Sequence, residues 1–256
     1  MSARRRAASA LFAAALASGT AWADVTDVSA VRSRVGLEGA GATFALRGLT
    51  GSYLTAAALA ELAPSSTVSI RARIPYTRVT YAGDDGGTHA GLGDVELRLR
   101  WRLLPDDPFQ ASIGLGGSAP TSRGEHHLGD DTAKIAPFAT GGYRTGRTVI
   151  FATVSDQISI PIAPRDEVGD ITDPASDHEL RGDLGVIERF GPVFVSAYAS
   201  GAARLVSRGP GNFAYGTLLI GATPSANVRL VVGAALPITG EHRFDARTTG
   251  TMLVTF

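Results

Sequence analysis

From Val95 to Leu103 the chain alternates without a break. Val95, Leu97, Leu99, Trp101 and Leu103 stand between Glu96, Arg98, Arg100 and Arg102. A period of two puts successive side chains on opposite faces of a β-strand, so one face here is wholly apolar and the other wholly charged. Such a strand sits between two media. A soluble sandwich and a membrane wall both provide that boundary, so the strand alone fixes only an orientation. If its apolar side meets lipid, the arginines point into a lumen. The reverse would place Arg98, Arg100 and Arg102 in hydrocarbon at about 2–4 kcal/mol each near the midplane.

Other segments repeat the pattern. In 67–81, Val68, Ile70, Ala72, Ile74 and Tyr76 oppose Ser69, Arg71 and Arg73. In 109–118, Phe109, Ala111, Ile113 and Leu115 oppose Gln110, Ser112, Gly114 and Gly116. In 148–162, Ile150, Val154, Ile158 and Ile160 make an apolar side that Asp156 interrupts, which predicts a register shift or bulge there. In 180–190, Leu184, Val186 and Phe190 oppose Arg181, Asp183 and Arg189. The 193–205 segment shows no clear face, because Phe194 and Tyr198 oppose Val193, Val195, Ala197 and Ala199. Segment 51–62 is rich in alanine and leucine and competes for helix. The turn Pro64-Ser65-Ser66 and the patterned strand behind it favour a strand. The weakest pattern is 36–47, with its glycines and alanines.

Between these strands the connections alternate in length. Short ones fall near 64–66, 105–108, 144–147, 191–192 and 224–227. Longer ones fall at 82–90, 120–132, 163–179, 207–211 and 238–243. Short turns at one end and longer loops at the other are the mark of an outer-membrane barrel. With both chain ends on the short-turn side the count must be even, so 36–47 supplies the twelfth strand. Aromatics sort likewise. Trp101, Phe109, Tyr143, Phe190, Phe194 and Phe256 lie beside short turns, and Tyr76, Tyr81, Phe213 and Phe244 beside long loops. Two interfacial girdles are expected from this.

The chain ends agree. Arg4-Arg5-Arg6, the apolar run 7–17 and the small-x-small Ala21-Trp22-Ala23 make residues 1–23 a signal peptide, cleaved before Asp24. Residues 24–35 read as a periplasmic lead-in and 36–256 as the barrel. Cysteine is absent, so disulfide and thiol chemistry are excluded. Lys and Arg number 24 against 24 acidic residues, a balance that argues against a nucleic-acid surface. Phe256 closes an alternating strand, resembling the terminal signal read by the barrel-assembly machinery.

Ile74-Pro75-Tyr76, Gly91-Leu92-Gly93-Asp94 opening an alternating strand, and the glycine-rich strand ending in Ala119-Pro120-Thr121 resemble the family named for the meta-pathway of phenol degradation. The resemblance covers most of the chain from Ser52 onward. It implies an outer-membrane β-barrel transporter, and the family name implies aromatic compounds. After Pro120 this chain carries Thr-Ser-Arg-Gly where the family pattern has a plain Thr-Gly.

The expected fold is therefore all-β, a transmembrane antiparallel up-and-down barrel of about 12 strands in a Gram-negative outer membrane. Arg71, Arg73, Glu96, Arg98, Arg100 and Arg102 face one interior, with Arg181, Asp183 and Arg189 across from them. Two readings of these charges stand: a cationic stripe selecting anionic or aromatic solutes, or an internal ion-pair network that fills a narrow bore. They correspond to a channel for small molecules and to a plugged barrel with a structural or surface-binding role. His89, His126, His127, His178 and His242 fall in or next to long loops among acidic residues, without the spacing of a metal site. They read as solvated surface meeting lipopolysaccharide and its divalent ions. A hydrolase would need a loop histidine such as His127 to reach a strand serine such as Ser155 or Ser159. No catalytic set, cofactor or metal site is expected. The expected partners are outer-membrane lipid, lipopolysaccharide, the assembly machinery and a small solute, with no nucleic acid.

Overall fold

The protein was analysed as a computed structural model. It describes residues 31–46, 48–82, 86–104, 108–122, 128, 131–162, 177–206, 211–240 and 242–256. The stretch expected to be a signal peptide, the expected lead-in up to residue 30 and loop residues including His126 and His127 lie outside these.

Among the described residues thirteen strands form one antiparallel sheet. They are β1 (Arg34–Leu46), β2 (Leu49–Leu62), β3 (Val68–Ala82), β4 (Gly87–Leu92), β5 (Val95–Leu104), β6 (Phe109–Ala119) and β7 (Thr132–Thr145). After them come β8 (Thr148–Pro161), β9 (His178–Phe190), β10 (Val193–Arg204), β11 (Phe213–Ser225), β12 (Val228–Pro237) and β13 (Ala246–Thr255). Apart from β4 and β5, which do not pair with each other, each strand pairs with its neighbours in sequence, and β1 pairs with β13 from Arg34↔Thr255 to Thr43↔Ala246, which closes the wall. Closure satisfies the backbone inside lipid and leaves no open edge. Both β4 and β5 pair with β3, at its C-terminal and N-terminal halves, so they occupy one station and the barrel has twelve.

The weakest sequence segments are strands. β1 extends from Arg34, two residues before the expected boundary, and β2 covers the alanine-rich run without helix. β1 and β2 meet at Gly48, whose φ of 86° suits glycine, so the first long-loop-side connection is itself tight.

Side chains alternate as the patterns require. Leu97, Leu99, Trp101, Ile70, Ile74, Leu184 and Leu218 are exposed on the outer wall, while Arg73, Arg98 and Arg100 are buried within. The 193–205 segment resolves the same way: Phe194 and Ser196 point inward, Val193 and Ala197 outward.

Three expectations are corrected. The stretch read as a loop over 82–90 is already β4 from Gly87, and the alternating strand that Gly91-Leu92-Gly93-Asp94 was expected to open is broken at Gly93-Asp94. Asp156 causes no bulge: β7–β8 and β8–β9 keep one register through it. Its carboxylate stays on the outer face and meets His178 at 2.6 Å, opposite Pro137, which has no N–H for the ladder. The long-loop girdle is not a girdle. Tyr76 does face outward, but Tyr81, Phe44, Tyr215 and Phe244 are buried in one interior cluster, with Phe213 packed against it. Tyr81 shares parity with Arg71 and Arg73, and that parity, not its nearness to a loop, sets its direction. Phe244 precedes β13 instead of opening it.

At the short-turn end Trp101, Phe109, Tyr143, Phe190 and Phe256 are exposed on the outer wall, while Phe194 points inward.

Candidate functional site: a charged lumen with an aromatic end

The inward faces build the lumen in tiers. In the middle, Glu38 on β1 accepts Arg71 Nη2 and Arg73 Nε, each at 2.9 Å, and Arg73 Nη1 reaches Glu96 at 2.6 Å. Glu38 is only 4 % exposed, and two guanidinium groups hold it. Nearer the short turns, Arg34 and Glu61 pair at 2.7 Å. These carboxylates lie on β1 and β2, the segments whose patterns are weakest, which is why the sequence reading missed them. Their signal was parity, since each falls on the inward side of its strand.

Arg98 is placed differently. Its guanidinium lies 3.7 Å from the Phe138 ring centroid. Phe138 in turn sits over Gly114, where a Cβ would come within 2.4 Å of the ring. The Nε and Nη1 atoms of Arg98 are buried and have no hydrogen-bond partner among the described residues. Arg100 and Arg71 add like charge to its surroundings, and Asp183 lies within electrostatic reach from the opposite wall. Asp183 accepts Ser200 Oγ at 2.6 Å and also feels Arg181. Arg102 and Arg189 also lie on inward positions, toward the short turns. The structure thus brings all nine residues singled out from the sequence onto one inner surface, and adds Arg34, Lys134, Arg229, Arg243 and Arg247. Cations outnumber carboxylates on that surface.

At the long-loop end Glu179 accepts Arg181 Nε at 2.5 Å and Arg243 Nη2 at 2.6 Å. Arg243 lies 3.9 Å from the Phe213 ring centroid, and its backbone N–H donates to Tyr215 Oη. Phe244 stacks on Tyr215 at 4.0 Å between centroids. The 238–245 connection therefore turns Arg243 and Phe244 into the bore, where Phe44, Tyr53, Val79, Tyr81 and Leu128 join them.

The three segments that carry the family resemblance meet at one place in the wall. Gly93 N–H donates to Pro75 O at 3.0 Å. Thr121 Oγ1 accepts Val95 N–H at 2.9 Å and donates to Gly93 O at 3.1 Å. Asp94 accepts both the N–H and the hydroxyl of Ser122. They clamp the bulge that divides β4 from β5, an added residue on one side of the β3 ladder.

Of the histidines, His89 lies on β4 facing inward against Tyr81, and His178 is the first residue of β9, so both are on strands and not in loops. His242 lies in the 238–245 connection. Both of its ring nitrogens face pure acceptors, Gly240 O and Asp245 Oδ1 at 2.9 Å each. That arrangement suits the doubly protonated ring. The Gly240 carbonyl first, then the Asp245 carboxylate, raises the His242 pKa. Among the described residues no group of three or more His, Cys, Asp or Glu is placed to hold a metal.

A closed antiparallel wall, apolar outside and charged inside, defines a transmembrane β-barrel of the outer-membrane class. Solved structures place the fold more narrowly. An outer membrane channel from Pseudomonas putida F1 matches with a TM-score of 0.70 at 14% identity, over 91% of this chain and all 100% of that one. The NanC porin matches at 0.56 and 9% identity, over 87% and 98% of the two chains. The β domain of the Bordetella autotransporter BrkA matches at 0.54 and 12% identity, over 88% and 100%. At these identities the likeness is one of fold. No protein-family model and no curated protein sequence matches the chain.

Proposed function

We propose that this barrel is an outer-membrane channel for small solutes, with a preference for anions, aromatic ones among them. The observation that carries the reading is Arg98, a permanently charged group held inside the bore, with two of its donors unpaired among the described residues and with Arg100 and Arg71 acting on it more strongly than Glu61 and Asp183. An anion in the bore would be drawn by this charge, which the surrounding protein compensates incompletely. The likeness to an outer membrane channel and a porin supports a conducting role. The test is single-channel recording in planar bilayers under a potassium chloride gradient. Anion-preferring steps are expected, with the preference weakened or reversed in Arg98→Glu.

A second reading has its own observation. The aromatic cluster and the Arg243–Glu179 pair fill the long-loop end, as a plug in a structural or surface-binding barrel would. Bilayers that stay silent at every voltage would select it.

Insertion would run through the assembly machinery, with Phe256 as its recognition residue. Phe256→Ala is then expected to lower the amount of folded barrel in cells while leaving refolding of the purified chain in detergent unchanged.

A further inference from the structure

Arg243 and Phe244 belong to no strand, since β12 ends at Pro237 and β13 begins at Ala246, yet both are buried. Local bonds place them. The Arg243 N–H donates to Tyr215 Oη on β11, and the Asp245 N–H donates to Thr43 O on β1 at 2.8 Å. The chain is thus pinned to the strands on either side of the β12–β13 hairpin, which draws the connection inward across the end of the lumen. From there the two side chains reach apart. Phe244 stacks on Tyr215, with 4.0 Å between centroids and 10° between planes. It joins an apolar cluster with Phe44 of β1, Tyr53 of β2 and Tyr81 of β3. Arg243 lies over the Phe213 ring and reaches Glu179 of β9, Nη2 to Oε2 at 2.6 Å. In the wall β10 and β11 stand between β9 and that connection, so the ion pair cuts across the bore instead of joining neighbours. Leu128, from the β6–β7 connection, approaches the cluster from the β4 side, where a Cβ on Gly91 would meet it at 3.0 Å.

We propose that Arg243 and Phe244 set the aperture of the channel, with Glu179 as the positioning residue that holds Arg243 across the bore. Side chains from β1, β2, β3, β9 and β11 meet at this one level, so a solute travelling along the lumen must pass them. Stacked rings and a guanidinium held by a carboxylate keep fixed positions, and a fixed ring of side chains sieves by size. An apolar constriction also resists wetting, so truncating it admits water and ions together. The charged tiers deeper in the lumen attract solutes, whereas this level limits them. The role rests on the channel reading and names the residues that limit passage through it.

The purified protein is reconstituted into planar bilayers and into liposomes, and folding of each variant is checked by its heat-modifiable mobility on gels. Phe244→Ala and Arg243→Ala are each expected to raise single-channel conductance about twofold or more, and to admit larger neutral sugars in liposome swelling. Arg243→Ala does not strand Glu179, which keeps Arg181. If Phe244→Ala does not fold, Phe244→Leu keeps an apolar side chain in the cluster and removes the breadth of the ring. Glu179→Gln is expected to raise conductance through a loosened Arg243, and to add nothing in the Arg243→Ala background. Leu218→Ala, on the outer wall of β11, should leave conductance unchanged. The chain has no cysteine, so Phe244→Cys carries the only thiol. Its coupling to a bulky methanethiosulfonate should bring the conductance back down, which a merely loosened fold would not do. The proposal is overturned if neither folded variant raises the conductance above that of the parent, whether by matching it or by carrying no current. A further rise in the Glu179→Gln/Arg243→Ala double variant would overturn the positioning role of Glu179. A silent parent beside a conducting Phe244→Ala would remove the channel reading and leave these residues as what closes the bore.

Discussion

Arg73 is held by carboxylates from two directions, and Glu38 serves Arg71 as well. Buried ion pairs of this kind roughly break even against water when complete, but removing one partner strands a charge at about 3–5 kcal/mol. Glu38→Ala is therefore expected to lower barrel stability by about that much, and Glu38→Gln by less, since an amide oxygen still accepts. Urea unfolding in lipid vesicles measures both, and equal stability of Glu38→Ala and the parent would remove the network's structural role. Gly114 obeys a steric constraint. Its missing Cβ would lie 2.1 Å from Leu99 O and 2.4 Å from the Phe138 ring. A rigid backbone atom cannot yield as a flexible side chain does, so Gly114→Val is expected to cost about 1–3 kcal/mol and to displace Phe138 from beneath Arg98. Loss of the anion preference alongside loss of stability in that variant would show that the aromatic platform positions the charge.

The elements that depart from plain alternation owe their form to particular side chains. The bulge between β4 and β5 is held by Thr121, Ser122 and Asp94. Removing a buried acceptor that serves two donors costs about 1–3 kcal/mol. Asp94→Ala should therefore speed hydrogen exchange at Ser122 and Val95 far more than at the middle of β9. The 238–245 connection carries a pH dependence. His242 has a raised pKa in the folded chain, so its contribution is full below the ordinary histidine value near 6.5 and is lost as pH rises through the raised one. The loop's amides should exchange faster above that range, and His242→Asn should flatten the profile. The sequence did not show that this connection dips into the bore, because nearness to a loop says nothing of direction. For Tyr81 the information was present: its odd number matches Arg71 and Arg73 on the same strand. For Phe244 it was absent, since that residue lies outside β13 and no alternation governs it. Asp156 misled in the other direction. A polar residue on an apolar side suggested a bulge, yet its pairing with His178 accommodates it in register.

At the scale of the molecule, twelve stations and closure were legible because strand parity and loop lengths constrain each other; neither depends on packing. The inward cations were legible for the same reason, whereas their carboxylate partners on β1 and β2 were hidden in glycine- and alanine-rich segments with little contrast between faces. The whole reading turns on the medium outside the wall, and two neighbouring residues test it. Leu99 is 46% exposed on the outer face, and Arg98 is 8% exposed within. Leu99→Arg would set a guanidinium against hydrocarbon at about 2–4 kcal/mol near the midplane, falling toward zero at the interfaces. Arg98→Leu would replace an incompletely paired buried charge by an apolar side chain against Phe138, a change expected to be neutral or stabilising. The same closed barrel standing in water predicts the opposite ordering, because its outward Leu99 would face water and tolerate arginine freely. Unfolding of the two variants in lipid vesicles, compared with the parent, decides between the media: a destabilised Leu99→Arg beside an unharmed Arg98→Leu requires lipid on the outside and water within.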